Sequence, residues 1–265
     1  MRMLSIASGS SGNCIYIGND HTHILVDAGI SKKRIEAGLN SIGLTVADLS
    51  AIFVTHEHKD HIGGIGVLTR KCQAPVYATK ETVSCILGDS SLGKLDCEQF
   101  VAIMPNEEIC IGDMKIEPMK ISHDAANPVC YRFFDGNKKA AIATDLGYVT
   151  EENEEKLCGM DLLLLEANHD IQMLQVGSYP YYLKQRILGN QGHLSNEAAG
   201  RLLSRIAHDD LKKIYLGHLS QENNLPQLAY EAVRLEITMG NNPYQASDFD
   251  IEVAKRSEPS TLFEF

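Results

Sequence analysis

A chain of 265 residues with 44% hydrophobic and 22% charged residues has an ordinary globular balance, which excludes disordered, collagen-like and coiled-coil chains. Its net charge of −11, from 24 Lys and Arg against 35 Asp and Glu, argues against charge-driven, unselective binding to nucleic acid but leaves room for a local basic patch. No stretch approaches about 18 uninterrupted apolar residues and no basic segment with a long apolar run opens the chain, so neither a membrane span nor a secretory leader is expected. The seven cysteines are odd in number and never spaced C-x-x-C, which argues against a disulfide framework or a structural zinc knuckle. Most are expected to be small core residues in a reducing, cytoplasmic setting.

In chain order, MLSIAS, NCIYIG and THILVDAG read as β-strands punctuated by turns at Gly9–Gly12 and Asn19–Asp20. The glycine-rich stretch Ser8 to Asn13 lacks the Gly-Lys-Ser/Thr of a phosphate-binding loop and joins two strands, so it reads as a turn. Ser31 to Ile42 is an expected helix, with Ser31 as N-cap, Ile30 and Ile35 as a staple and Gly43 as its stop. AIFVTH follows as a buried strand. Further strands are APVYA, QFVAI, MKIEPMKI, PVCYRFF, KAAIATD, DLLLLEA, KKIYLGH and DFDIEVA. Ser195 caps a helix from Asn196 to His208 with Ala199, Leu202, Leu203 and Ile206 on one face. Asn224 and Pro226 open another from Leu225 to Met239, with Leu228, Ala232 and Leu235 expected inward. No linker or repeat appears, so residues 1–265 read as one α/β domain. Periodicity alone fits a doubly wound sheet as well as two packed sheets.

The chemistry concentrates in Val54-Thr55-His56-Glu57-His58-Lys59-Asp60-His61. Three of ten histidines and one aspartate fall within six residues, directly after a buried strand. Alternation along an extended chain puts His56 and His58 on one side. After a turn, Asp60 and His61 can face the same volume from the start of a helix. Four such ligands exceed the needs of one tetrahedral zinc that keeps a water position, so two metals with further ligands from elsewhere are inferred. Those ligands should close other strands: His123 follows KIEPMKIS, Asp145 follows KAAIAT, and His218 follows KKIYLG. Asp27, closing THILV, suits a carboxylate that orients a ligand imidazole. His21, His23 and His208 are expected to be solvated, while His169 is a pocket candidate.

In order, Asp27 in VDAG, THEHKDHIGG, His123, Asp145 in ATDLG and His218 in LGHLS resemble the five motifs of the metallo-β-lactamase superfamily. SIASGSSGNCIYI, LEANHD, LKQRILGNQGHLSNEAA and GHLSQENN look specifically like its YycJ/WalJ branch. The resemblance implies a four-layer αββα sandwich, the metallo-β-lactamase fold, with metals at one edge. It implies that His56, His58 and His123 hold one metal, that Asp60, His61 and His218 hold the second, and that Asp145 bridges them. The metals would be zinc or manganese, with iron or nickel as alternatives. The Asp145–His218 spacing is too short for the long insert of the β-CASP nucleases. LEANHD, GHLSNEAA and LGHLS are also similar to a series in ribonuclease Z, which gives His193 the role of protonating the leaving oxygen. No clear match to that enzyme's tRNA-gripping arm is visible.

The implied function is a dinuclear metal-dependent hydrolase, a phosphodiesterase or exonuclease-like nuclease acting on DNA or RNA, with Asp60 and His193 as catalytic residues. Two cations about 3.5–4 Å apart would make hydroxide available near neutral pH. An imidazolium acid is typically worth 10²–10⁴-fold. The stretch Ser178 to Arg186 interleaves tyrosines with cations, which fits base stacking and phosphate steering or a surface loop of snorkelling side chains equally well. The alternative is a hydrolase of a carboxylic ester, thioester or lactam on the same metals. A metal-holding module without turnover is the third reading.

Overall fold

The computed structural model describes residues 1–265, which form two compact units. The first comprises residues 1–120, 125–138 and 255–265, and the second residues 121–124 and 139–254.

In the first unit, β1 (Arg2–Ala7), β2 (Cys14–Gly18) and β3 (His23–Val26) pair antiparallel. β4 (Ala51–Phe53), β5 (Val76–Thr79) and β6 (Phe100–Ile103) then add in parallel, and the pair Phe263–Glu264 covers the edge of β1. Parallel pairing needs crossovers. These are α1 (Lys32–Asn40), the two short helices α2 (Lys59–Ile62) and α3 (Ile65–Thr69), and α4 (Lys80–Gly88). β7 (Ile109–Ile111), β8 (Met114–Lys120) and β9 (Val129–Asp135) form an antiparallel meander. Leu4, Ile6, Leu25, Ile35, Ile52, Val54, Leu68 and Val76 share one core cluster. Burial on both faces explains the continuous apolar runs of the parallel strands. Tyr131 of β9 donates to Val54 O at 2.7 Å, and its ring stands edge-on to Phe53 at 5.1 Å.

In the second unit, β10 (Lys138–Ala143), β11 (Leu162–Glu166), β12 (Lys213–Gly217) and β13 (Ile251–Val253) lie side by side and parallel in that order. Between them run α5 (Glu151–Leu157), α6 (Ile171–Val176), α7 (Tyr181–Leu188), α8 (Asn196–Ile206) and α9 (Pro226–Met239). Ser195 caps α8 as expected, accepting from Ala198 N at 3.2 Å, and Ala199, Leu202, Leu203 and Ile206 are buried.

Every strand expected from the sequence is present, but several details differ. Helix α1 stops at Asn40, and Ser31 sits at its N-cap without a side-chain cap bond. Gly43, at φ 78°, still closes the turn, with Leu44 N donating to Leu39 O. Only three of the seven cysteines, Cys14, Cys72 and Cys130, are buried; the other four are exposed, so most cysteines are not core residues. His23 is buried rather than solvated, because Tyr16 Oη lies 3.0 Å from its Nδ1 across the β2–β3 pair. His208 is half-buried, with Nε2 at 3.0 Å from Met160 O. The largest difference is in α9, where Ala229, Val233 and Ile237 face inward instead of Leu228, Ala232 and Leu235. Gly200 of α8 sets this rotation: a Cβ there would lie 3.0 Å from Val233 Cα, so the helices approach backbone to backbone along that line.

Candidate functional site

The histidine-rich segment is organised within the first unit. After β4 the chain stays extended through His58, the N-cap of α2, and Asp60 and His61 occupy the first turn of that helix. The expected alternation holds: the His56 and His58 rings lie 4.5 Å apart, and Glu57 between them turns away to accept from Ala126 N at 2.7 Å. The His56 and His61 rings are 4.1 Å apart, and His61 Nε2 is 3.5 Å from Asp60 Oδ2.

Asp27 fixes the direction of these imidazoles. Its Oδ2 accepts from His61 Nδ1 at 2.7 Å and from Thr55 Oγ1 at 2.9 Å, and its Oδ1 accepts from Thr55 N at 2.8 Å. His61 therefore carries its proton on Nδ1 and leaves Nε2 as the lone-pair nitrogen. Thr55 Oγ1 has one proton, which goes to Asp27. It must then accept from His56 Nδ1, 3.0 Å away, which leaves His56 Nε2 with the lone pair as well. Asn13 closes the same cluster: its N donates to Asp60 O at 2.7 Å, and its Nδ2 lies 3.1 Å from His61 Nε2. Gly29 permits the close approach, since a Cβ there would stand 1.7 Å from Asp60 O.

The second unit gathers His123, Asp145, His193 and His218. Asp145 Oδ1 lies 3.6 Å from His123 Nε2, 3.4 Å from His193 Nδ1 and 3.3 Å from His218 Nε2. Ligand atoms bonded at about 2.0–2.2 Å around a tetrahedral cation stand roughly 3.4 Å apart, so the His123 and His218 distances match the edges of such a shell, while His193 Nδ1 turns its proton to Glu166. Asp145, Glu166, His193 and His218 each offer a ligand atom within 4.8 Å of the others. Imidazole nitrogens with one carboxylate suit a borderline divalent cation. The donor set therefore fits a metal on its own chemistry.

Two of these imidazoles, His123 and His193, also have an anchor. His123 Nδ1 donates to Gly192 O at 3.0 Å, which leaves Nε2 facing Asp145. Glu166, fully buried at the end of β11, accepts from His193 Nδ1 at 2.7 Å through one oxygen. Its other oxygen accepts from Leu146 N at 2.8 Å and Leu194 N at 3.1 Å. Asn168 ties two site loops together. Its N donates to Leu194 O, its side-chain amide donates to His218 O at 2.9 Å, and its own carbonyl accepts from Ser220 N and from Asn224 Nδ2.

Glu166, Asn168 and Asn13 were not singled out from the sequence. Glu166 had a signal, a carboxylate closing the apolar strand DLLLLE, but a charge at a strand end is also the pattern of a surface cap. His169 is buried, and neither ring nitrogen has a hydrogen-bond partner. Burial foremost pushes its pKa down to about 4, so the ring is a neutral packing residue. The stretch Ser178 to Arg186 is helical from Tyr181 rather than a loop. Its cations are engaged: Lys184 donates to Gln175 O and Gly177 O, and Arg186 pairs with Asp124. Tyr181 and Tyr182 remain exposed. Next to His123, a cleft of about 420 Å³ is lined by Asp124, Arg186, Asn190 and Gln191.

Strand-end histidines and aspartates in this order define a class: the chain belongs to the metallo-β-lactamase superfamily, matching the family model "Beta-lactamase superfamily domain" over residues 22–218. The metallo-β-lactamase fold protein YhfI of Bacillus subtilis shares the fold over the full length of both chains, with a TM-score of 0.67 at 16% identity, so the α/β fold class expected from the motifs is the one found. Among curated relatives, the chain is 41% identical over 228 residues to the exodeoxyribonuclease YycJ of Bacillus anthracis, covering 86% of each. It is 43% identical over 241 residues to the exodeoxyribonuclease WalJ of Streptococcus pneumoniae, covering 91% of this chain and 87% of the relative.

Proposed function

We propose that this chain is a metal-dependent phosphodiesterase that shortens DNA from an end. The observation that carries the reading is the Glu166–His193 pair, 2.7 Å apart, with His193 Nδ1 also 3.4 Å from Asp145. Hydrolysis of a phosphodiester must protonate a departing alkoxide. Glu166 holds the Nδ1 proton of His193, which leaves Nε2 as the nitrogen that delivers a proton. The two exodeoxyribonuclease relatives support DNA as the substrate class.

In this reading His56, His58, Asp60 and His61 from one cluster and His123, Asp145 and His218 from the other are the ligands of two divalent cations, zinc or manganese. The ligand set rests on the family motifs. When bound, the metals lower the pKa of water so that hydroxide is available near pH 7, and they neutralise charge on the phosphoryl oxygens. Asp27 and Thr55 keep the Nε2 lone pairs of His56 and His61 available, Gly192 does the same for His123, and Asp60 adds a carboxylate beside His61. No helix is long and apolar enough to cross a membrane, and a cytoplasmic setting suits a DNA substrate.

The test is an assay of purified protein, its bound metal measured, on end-labelled single- and double-stranded DNA, RNA, a small phosphodiester, a thioester and a lactam. Stepwise loss of nucleotides from DNA is expected. Turnover of the thioester or lactam without any phosphodiester would refute the proposal.

A further inference from the structure

Ser178 to Arg186 sets tyrosines among cations, and the helical part of that stretch, α7, sorts them by face. At about 100° per residue, Tyr182, Gln185, Arg186 and Gly189 fall within roughly 100° of one another around the axis, and the buried Ile187 lies on the opposite side. Gln185, Arg186 and Gly189 line the cleft next to His123, together with Asp124, Asn190 and Gln191. Tyr182 stands one turn before Arg186 on that face and is 74% exposed. Tyr181 is also exposed, but it lies about 140° around the helix from Arg186 and borders a different groove with Lys184 and Leu188. On the Asn190 side, Gly147 packs so closely that a Cβ there would lie 2.1 Å from Asn190 O, and the next residue, Tyr148, is 46% exposed.

We propose that this cleft seats the end of a single DNA strand, with a base stacked on Tyr182, a backbone phosphate on Arg186 and a second ring offered by Tyr148. The proposal rests on the DNA-end reading above and adds that the end must be unpaired. The lining suits an anionic chain of flat rings. Its one carboxylate, Asp124, takes a fork from Arg186 Nε and Nη2, so the pair adds no net negative charge and the half-exposed guanidinium is held in a fixed plane. Asp124 Oδ1 lies 3.5 Å from His123 Nε2, which puts that guanidinium close to the second cluster. Asn190 and Gln191 add amides that can donate to or accept from a base. A cleft of about 420 Å³ is the size of a small-ligand pocket and takes one nucleotide rather than a duplex. An exposed aromatic ring stacks on an unpaired base and tolerates any sequence, as removal of successive nucleotides requires.

The test is fluorescence anisotropy of the metal-loaded, full-length protein with a labelled single-stranded oligodeoxynucleotide whose phosphorothioate linkages resist cleavage, repeated from about 50 to 200 mM salt. Each phosphate contact on a single strand contributes about −0.7 to the slope of log K against log salt, so Arg186→Gln should flatten the slope by about that amount. Tyr182→Ala, with its fold checked by circular dichroism, should raise the dissociation constant about 5- to 150-fold at unchanged slope, the range of one base–aromatic stack. Tyr182→Phe keeps the ring and should bind within about twofold of the wild type. Tyr181→Ala, on the other face, should bind as the wild type does, and the matching duplex should bind more weakly than the strand. A wild type that does not hold the strand overturns the proposal. So does a Tyr182→Ala protein of undiminished affinity, an equal loss in Tyr181→Ala, or a duplex bound as tightly. DNA that is shortened while these variants leave binding unmoved would overturn the cleft and spare the nuclease reading; a strand held in this way but never shortened would do the reverse.

Discussion

Asp27→Asn changes one atom and should disarm two of the proposed metal ligands at once. The backbone tolerates it, because Asp27 sits at φ 62° and asparagine, like aspartate, is one of the few non-glycine residues that adopt that region. The substituted side chain can still accept from Thr55 N through its oxygen. Its amide nitrogen, however, presents a donor where Oδ2 had accepted from His61 Nδ1 at 2.7 Å and Thr55 Oγ1 at 2.9 Å. His61 must then accept at Nδ1 and carry its proton on Nε2. Thr55 Oγ1 must then accept from that amide, and its own proton is shared between residue 27 Oδ1, 3.1 Å away, and His56 Nδ1, so that ring is released to reverse too. Both Nε2 atoms would then bear the proton that a ligand must lack. A single orienting partner is typically worth 10–100-fold in metal affinity. With two rings affected, a loss of about 100-fold is expected, or about 2.7 kcal/mol. The metal-free protein should also lose about 2 kcal/mol from its charge-assisted hydrogen bonds. The assay is a zinc titration against a competing chelator, with the imidazole tautomers read by ¹⁵N NMR. A zinc affinity within twofold of the wild type, with His56 and His61 still protonated on Nδ1, would refute the reasoning.

Asp145→Asn, also at a tolerant φ of 61°, should weaken metal binding and abolish turnover; metal content and rate measured on one sample check both. His193→Ala should keep its metal and lose about 10²–10⁴-fold in kcat, and unchanged turnover would remove His193 from the catalytic residues. Gly29→Ala places a Cβ 1.7 Å from Asp60 O and should cost about 3 kcal/mol in denaturant titration, with reduced metal affinity. His169 gives a pH signature. Its folded pKa of about 4 lies below the ordinary 6.5, so the unfolded chain binds more protons between those values. Stability from this group is complete above about pH 6.5 and falls by about 3 kcal/mol as the pH drops to 4. His169→Leu should flatten that part of the acid limb in the metal-free protein, and an unchanged limb would count against the assignment.

What was legible in the sequence was what depends on local spacing. His56 and His58 share a side because extended chain alternates, and Ser195 caps α8 because its hydroxyl needs only the next turn. Asp27 could be read as an orienting carboxylate because it closes a strand beside the histidine segment. What was hidden depends on surfaces meeting. The apolar spacing of α9 identified a real stripe on the wrong side, since choosing between two apolar faces requires knowing that Gly200 lies against Val233. His23 read as solvated until Tyr16, on the neighbouring strand, supplied its partner. Glu166 and Asn168 act through backbone groups of Leu146, Leu194 and His218, which no pattern of side chains reveals.

The second cluster shows why residues so distant along the chain can be neighbours. β10, β11 and β12 are adjacent and parallel, with Leu165 paired to both Ala143 and Leu216 and Glu166 paired to Gly217. Residues that close these strands are therefore separated by only one or two strand spacings of about 4.8 Å, well within side-chain reach. Asp145 and His218 turn the chain immediately beyond their strands at φ 61° and 55°, a conformation that costs an L-residue roughly 1–2 kcal/mol and would suit glycine better. Asp27 does the same after β3. Three of the four non-glycine residues with positive φ are thus carboxylates or imidazoles of these clusters, the exception being Asn106. A stability-driven sequence would place glycine or asparagine at such turns. Strain kept at these positions, and offset by bonds such as Asn168 Nδ2 to His218 O, means that the side chains themselves are what the fold retains there.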